Sequence, residues 1–265
     1  MKIHSVKTVC FSPTRTTKRL VAAVAAGLGG VEAEDWDLTL SGAAVPGTTG
    51  VGDVVVIGAP VYAGRVPAVA VERFRALQGR GALAVLVVTY GNRHYDDALI
   101  ELVDLSKEWG FVSVAGGAFI GEHSFSTPEL PVAAGRPDAS DTDKAEAFGR
   151  LVAKKIAGFV DASGCGPLEV PGKRPYKEGW IKPPLPPVMD EALCTGCGEC
   201  AAVCPVDAIG VGDIAVTDGA KCIVCAACVR ACPEHGRSFM GTPIAGLNQK
   251  LNELYSARRE PELFV

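Results

Sequence analysis

Eight of the ten cysteines in this 265-residue chain fall in two copies of one run. Cys194-Thr195-Gly196-Cys197-Gly198-Glu199-Cys200-Ala201-Ala202-Val203-Cys204-Pro205 recurs as Cys222-Ile223-Val224-Cys225-Ala226-Ala227-Cys228-Val229-Arg230-Ala231-Cys232-Pro233. Soft thiolates suit iron–sulfur chemistry, and a four-iron cubane takes one cysteine per iron. Tight spacing brings three thiolates of a run onto one cluster while the fourth reaches the other. This assigns Cys194, Cys197, Cys200 and Cys232 to one [4Fe–4S] cluster, and Cys222, Cys225, Cys228 and Cys204 to a second. Gly196, Gly198, Ala226 and Ala227 are small enough to let backbone N–H groups approach the sulfurs. Two Cys-x-x-Cys pairs can also hold zinc, but two four-cysteine runs each closed by Pro fit that poorly. Cys10 reads as an apolar filler of the first strand, and Cys165 has no evident partner.

A second group with chemistry lies near the start. Ser12-Pro13-Thr14-Arg15-Thr16-Thr17 leads from an apolar run into a helix, and hydroxyls with free N–H groups at a helix N-terminus cradle phosphate. Ordinary N-capping by Ser and Thr is the competing reading; the loop's place at the first strand-to-helix turn favours the cradle. Glu122-His123-Ser124-Phe125-Ser126 is the one polar cluster with catalytic potential. His123 titrating near neutrality could deliver a proton, with Glu122 orienting it. A loop bonding its own backbone is the bland alternative.

These groups need a scaffold. From residue 5 to about 160, short apolar runs alternate with helix-length amphipathic stretches, the pattern of an open parallel sheet. Strands are expected at Val6–Phe11, Glu32–Leu38, Val54–Ala59, Leu83–Tyr90 and Val112–Ile120, with helices near 16–28, 67–78, 95–109 and 141–160. The expected fold class is α/β, a flavodoxin-like doubly wound five-stranded parallel sheet, with ligands at the carboxyl ends of the strands. The expected division is residues 1–162 for that domain, a Pro-rich linker over 163–187, a small α+β two-cluster module over 188–240, and a C-terminal helix and tail over 241–265. The linker's Pro171, Pro175, Pro183, Pro184, Pro186 and Pro187 favour an extended, semi-rigid connector, and Trp180 and Ile181 suggest that it packs along a domain surface.

Formal net charge is -4, which argues against nonspecific nucleic-acid binding. Residues 188–240 hold 7 acidic against 3 basic side chains, so this segment supplies the whole surplus and would steer a basic redox partner. Met1–Lys7 shows no signal sequence and no run is long enough to span a membrane. Cytoplasm with reduced thiols is the expected setting.

The cysteine segment is similar to bacterial two-cluster ferredoxins. The first loop resembles the flavodoxin phosphate loop Ser/Thr-x-Thr-Gly-x-Thr at Ser12, Thr14 and Thr17, with Arg15 in place of the Gly. If that position needs a positive φ, Arg is unfavourable; alternatively its charge could pair with a phosphate. The resemblance implies FMN, with Thr16 in the same loop. It also places two segments at the isoalloxazine: Pro60-Val61-Tyr62-Ala63-Gly64 and the loop holding Thr89, Tyr90, Gly91, Asn92, Tyr95 and Asp96. Tyr62 or Tyr90 could cover the ring, Gly64 and Gly91 could admit backbone contacts, and His94 reads as a surface residue. Together the halves resemble a flavodoxin–ferredoxin fusion family. That resemblance implies two [4Fe–4S] clusters and FMN, but no settled substrate.

The expected function is an iron–sulfur flavoprotein with clusters feeding FMN. One version is a ferredoxin-linked reductase of a small substrate bound near Tyr62, Tyr90 and His123. The alternative is a substrate-free electron carrier between protein partners, a ferredoxin or a reductase. A redox or iron sensor is a third reading with no DNA-binding element to support it. Oligomeric state is not legible.

Overall fold

The computed structural model describes residues 1–29, 32–179 and 185–265. The apolar runs become strands β1 (Ser5–Cys10), β3 (Asp53–Pro60), β4 (Leu83–Tyr90) and β5 (Val112–Ile120), and the shorter β2 (Glu34–Asp37) lies at one edge. All eight residues of β4 are buried, as a strand covered on both faces must be. Between the strands run α1 (Thr16–Leu28), α2 (Ala68–Phe74), α3 (Ala98–Glu108) and α4 (Ala139–Ala157). Parallel pairing gives the order β2-β1-β3-β4-β5, the flavodoxin-like doubly wound order.

Helices cover both faces. Phe74, Leu99 and Leu102 of α2 and α3 pack with Val55, Ile57, Leu86 and Val88 on one side. Leu20, Val24, Phe148 and Val152 of α1 and α4 pack with Val54, Val56, Val85 and Val87 on the other. The observed α2 and α3 are shorter than the expected spans. The chain at 95–97 is instead loop, with Asp96 at φ 44.

Beyond α4 the linker lies along the α3 side of the sheet. Lys173 N and Lys177 N donate to the Asp97 carboxylate at 2.9 and 2.7 Å, and Arg174 pairs with Asp104 at 2.6 Å. Trp180, Ile181, Pro183 and Pro184 lie outside the described residues. The cysteine-rich part is built from β6 (Val188–Met189), α5 (Glu199–Ala202), β7 (Ile209–Val211), β8 (Ala215–Thr217), α6 (Ala227–Ala231) and β9 (Arg237–Ser238). Strands β6 and β9 pair, as do β7 and β8, each pair antiparallel.

The tail departs from expectation. Helix α7 (Pro243–Tyr255) is N-capped by Thr242 with Pro243 in its first turn. The chain then returns to the sheet, where β10 (Glu262–Phe264) pairs antiparallel with β5. The five parallel strands thus gain a sixth, so the tail is part of the first domain's sheet rather than a separate appendage. The short run Glu262-Leu263-Phe264 carries no strand signature of its own; an unpaired edge of β5 supplies the reason to pair. No helix among the described residues is long and apolar enough to cross a membrane.

Candidate functional site

Four loops at the carboxyl ends of the parallel strands, α7, the linker and one cysteine loop line a half-open cavity of about 630 Å3. In the first loop Thr14 and Thr16 line it, their hydroxyl oxygens 3.3 Å apart at the N-terminus of α1. Arg15 between them is exposed and holds φ 64, ψ 0, so the position does demand the left-handed region. Ser12 and Thr17 face inward instead. Ser12 Oγ accepts from Lys18 N at 3.1 Å, and Thr17 is fully buried.

The second loop is a tight hairpin turn. Tyr62 N and Arg65 N bond each other's carbonyls at 3.0 and 3.1 Å, and Ala63 and Gly64 carry φ 52 and 85, the two positive angles of a type I′ turn. A side chain at Gly64 would run into Asp96. Glu101 on α3 holds the turn, accepting from Arg65 Nε at 2.8 Å and Val66 N at 2.9 Å. Pro60, Val61, Tyr62 and Ala63 line the cavity. Burial pushes the Tyr62 phenol well above its ordinary value, with the Cys225 thiol adding to that effect.

From the third loop Thr89, Tyr90, Gly91 and Arg93 line the cavity. The buried hydroxyl of Thr89 has no hydrogen-bond partner among the described residues, while that of Tyr90 lies beside Arg259. An orphan such as Thr89 awaits a bound group. Asn92, Tyr95 and Asp96 turn elsewhere, against expectation. Asn92 Nδ2 donates to Tyr255 O and Ala257 O at 2.5 and 2.8 Å, and Tyr95 Oη donates to Glu262 at 2.7 Å. Asp96 pairs with Arg93 and Lys177. These three tie the loop to the tail and linker.

The fourth loop corrects the proton-transfer expectation. Burial, helped by Arg230 and Arg93, pushes His123 down to about 4. Its imidazole is therefore neutral at pH 7. Nδ1 accepts from Phe125 N at 3.1 Å, which leaves the hydrogen on Nε2. Glu122 does not orient the ring: it accepts from Gly135 N at 3.1 Å and pairs with Arg230 at 3.3 Å. Arg230, from α6, also donates to His123 O at 3.1 Å. On the other flank Arg73 donates to Leu38 O at 2.9 Å and also bonds Pro205 O, just after Cys204. Two arginines thus hold the cysteine module against the sheet domain.

The module's own contribution was not legible. Ile223 and Val224, between Cys222 and Cys225, line the cavity, as do Leu247 and Leu251 of α7. Val224 sits at φ 56, where the matching Gly196 of the first copy sits at φ 66. A β-branched residue in that region is a genuine outlier. Its side chain packs with Phe125, Val132, Ile244 and Leu251. The signal available in sequence was the mismatch of Gly196 with Val224 between the copies, and the i,i+4 spacing of Leu247 and Leu251.

Two further small cavities lie in the module. One is walled by Cys194, Cys197, Cys200 and Cys232, the other by Cys204, Cys222, Cys225 and Cys228. Each joins three cysteines of one run with the fourth of the other. The thiols ring the two cavities. N–H groups approach the sulfurs, Ala208 N to Cys204 Sγ at 3.2 Å, Ala215 N to Cys194 Sγ at 3.4 Å and Val224 N to Cys222 Sγ at 3.4 Å. Burial pushes Cys225 up to about 12 and Cys228 up to about 11, so metal must displace the proton for these thiols to ionise. Cys10 is fully buried, and Cys165 lies 3.8 Å from Ser113 O.

A flavodoxin-like α/β domain is thus joined to a module with two four-thiol sites. The 4Fe-4S binding domain family matches residues 187–210 and, in a second form, residues 220–241. The chain carries two 4Fe–4S binding segments. No curated protein matches the chain. Among solved structures it is similar to a flavodoxin from the domain Archaea, at 15% identity over 58% of this chain and 99% of that one, with a TM-score of 0.39. It is also similar to oxidised flavodoxin 1 from Bacillus cereus, at 16% identity over 57% of this chain and 97% of that one, TM-score 0.40. A third is a Fusobacterium nucleatum flavodoxin mutant bound to flavin mononucleotide, at 14% identity over 58% and 98%, TM-score 0.37. The fold rests on the strand order above, not on these likenesses.

Proposed function

We propose that the chain is an iron–sulfur flavoprotein that passes electrons from two [4Fe–4S] clusters to FMN and on to a small oxidised substrate. The observation that carries this reading is shared lining. Ile223 and Val224, inside the Cys222–Cys225 loop, face the same cavity as Thr14, Thr16, Tyr62, Thr89 and Tyr90. The cluster held by Cys204, Cys222, Cys225 and Cys228 is then the one beside the flavin, and the cluster held by Cys194, Cys197, Cys200 and Cys232 is the outer one. Cys197 is exposed, which suits entry of electrons from a protein donor such as a ferredoxin.

The residues present fit FMN. Thr14, Thr16 and the α1 N-terminus suit its phosphate, and Thr89 offers a hydroxyl with no partner among the described residues. FMN exchanges one or two electrons where each cluster exchanges one. Ile223 lines both the second cysteine cavity and the main one. His123 offers a fixed Nε2–H donor rather than a titrating acid. Phe125, Leu247 and Leu251 keep water from the apolar side. A half-open cavity with a donor at one wall supports a reductase over a carrier, for which a flat exposed flavin edge would be expected.

Anaerobic purification followed by flavin and iron analysis tests the reading. One FMN and about eight irons per chain are expected, from one cysteine per iron. A flavin-free preparation with a folded sheet domain would sink the FMN assignment, and about four irons would sink the second cluster. Loss of substrate turnover in His123→Ala, with cluster-to-flavin transfer intact, separates reductase from carrier.

A further inference from the structure

The two copies of the cysteine run share more than ligands. Asp207 and His235, each three residues past the last cysteine of its run, carry φ 49 and 52. Strands β7 and β9 then begin at Ile209 and Arg237, each five residues past that cysteine. The pseudo-symmetry breaks there. The first copy places an isoleucine at the head of its strand, and the second places an arginine that is 2% exposed.

Arg237 has no acidic partner among the described residues. Its Nη1 donates to Thr217 Oγ1 at 2.9 Å and reaches Cys228 Sγ at 3.7 Å, and its Nη2 meets Ala215 O at 3.5 Å. Its Nε has no partner among the described residues. A buried guanidinium without a carboxylate is costly unless another anion sits beside it. The anion placed to answer it is the thiolate-ligated cluster held by Cys204, Cys222, Cys225 and Cys228.

We infer that Arg237 sets the direction of electron flow within the module, by raising the reduction potential of the second cluster relative to the first. The inference rests on the two-cluster reading above. A cation beside a cluster favours the state carrying one more negative charge, and nearby charge and hydrogen bonds to sulfur are recognised levers on cluster potential. The balance is one electron: the first cluster is oxidised by one, the second is reduced by one, and no proton moves. A one-electron protein donor refills the first cluster, and the flavin drains the second. Arg237 thereby makes the step toward the flavin cavity the downhill one.

The neutral reference is in the chain itself, since Ile209 stands at the equivalent position. Arg237→Ile and Arg237→Gln are compared with the intact protein by iron analysis and an EPR-monitored redox titration, with Cys197→Ser marking the first cluster's signal. The expected result is eight irons per chain and a tenfold or greater shift of the second cluster toward its oxidised form, about 59 mV for one electron. The first cluster should move less, and Arg237→Lys should restore part of the shift. Equal shifts of both clusters, or none, in a fully loaded variant would overturn the inference. Loss of the second cluster from both neutral variants would also overturn it, making Arg237 a structural counter-charge only. A wild-type chain with four irons would instead remove the two-cluster reading beneath it.

Discussion

Arg15 offers a test in which conformational strain and charge act in opposite directions. The residue caps α1 at φ 64 with an exposed side chain, so replacing it removes no core packing. Holding an L-residue in that region costs roughly 1–2 kcal/mol, whereas glycine enters it freely at some cost in unfolded-state entropy. Arg15→Gly should therefore stabilise the protein by about 1 kcal/mol, while Arg15→Ala keeps the strain and should leave stability within about 0.5 kcal/mol of wild type. Both remove the charge. If Arg15 assists an FMN phosphate from this exposed site, both should weaken flavin binding equally, by about fivefold for an exposed pair of about 1 kcal/mol. Thermal unfolding of the flavin-free protein reads the first effect and quenching of flavin fluorescence on titration reads the second. The reasoning fails if the glycine variant is no more stable than the alanine variant. The charge argument fails separately if flavin affinity is unchanged in both.

At Val224 the usual order should invert: Val224→Ala loses about 1.6 kcal/mol of buried methyls and keeps the positive φ, so Val224→Gly should be at least as stable. Cluster retention during thermal melts would check it, and an alanine variant clearly superior to glycine would refute it. His123, pushed down to about 4 by burial, gives stability that is fully present above the unfolded value of about 6.5 and declines as pH falls from there toward about 4. His123→Phe should flatten that decline, as followed by Tm against pH. It follows too that cluster-to-flavin transfer should show no histidine inflection between about pH 5.5 and 8. Arg230→Ala, which removes both the Glu122 pair and the bond to His123 O, should slow flavin reduction by the clusters in stopped-flow while leaving iron content intact. Replacing Leu263 with Pro, which cannot donate to the ladder with Gly117, should weaken flavin retention and expose the β5 edge, seen as aggregation on light scattering.

The parallel sheet was legible because its signals are local and strong. Leu83–Tyr90 and Val112–Ile120 are bounded by turn residues and buried on both faces, so sequence and structure agree to the residue. The spacing of the two cysteine runs assigns three thiols of one copy and the fourth of the other to each cluster, and the same two sets of four line the module's two small cavities. Asn92, Tyr95 and Asp96 misled because their loop is shared. Chemistry suited to a flavin edge serves equally to hold Tyr255, Glu262 and Lys177, and nothing nearby in sequence announces partners more than 80 residues away. His123 misled for a related reason. Its ordinary titration is an intrinsic property, but enclosure by Arg230 and Arg93 from distant segments is not. Strand β10 escaped because three residues are too few to show a period.

Strand β10 also has a bearing on how the protein is made. It lies downstream of all eight module cysteines, yet it completes a sheet whose other strands are all upstream of them. During synthesis at roughly 5–20 residues per second, the β5 edge stands open for as long as the cysteine segment takes to emerge. The sheet domain can begin to fold at once, but its final edge closes only over a module already outside the ribosome. The path of the chain thus brings the whole cysteine segment out before the strand that closes the sheet edge can pair.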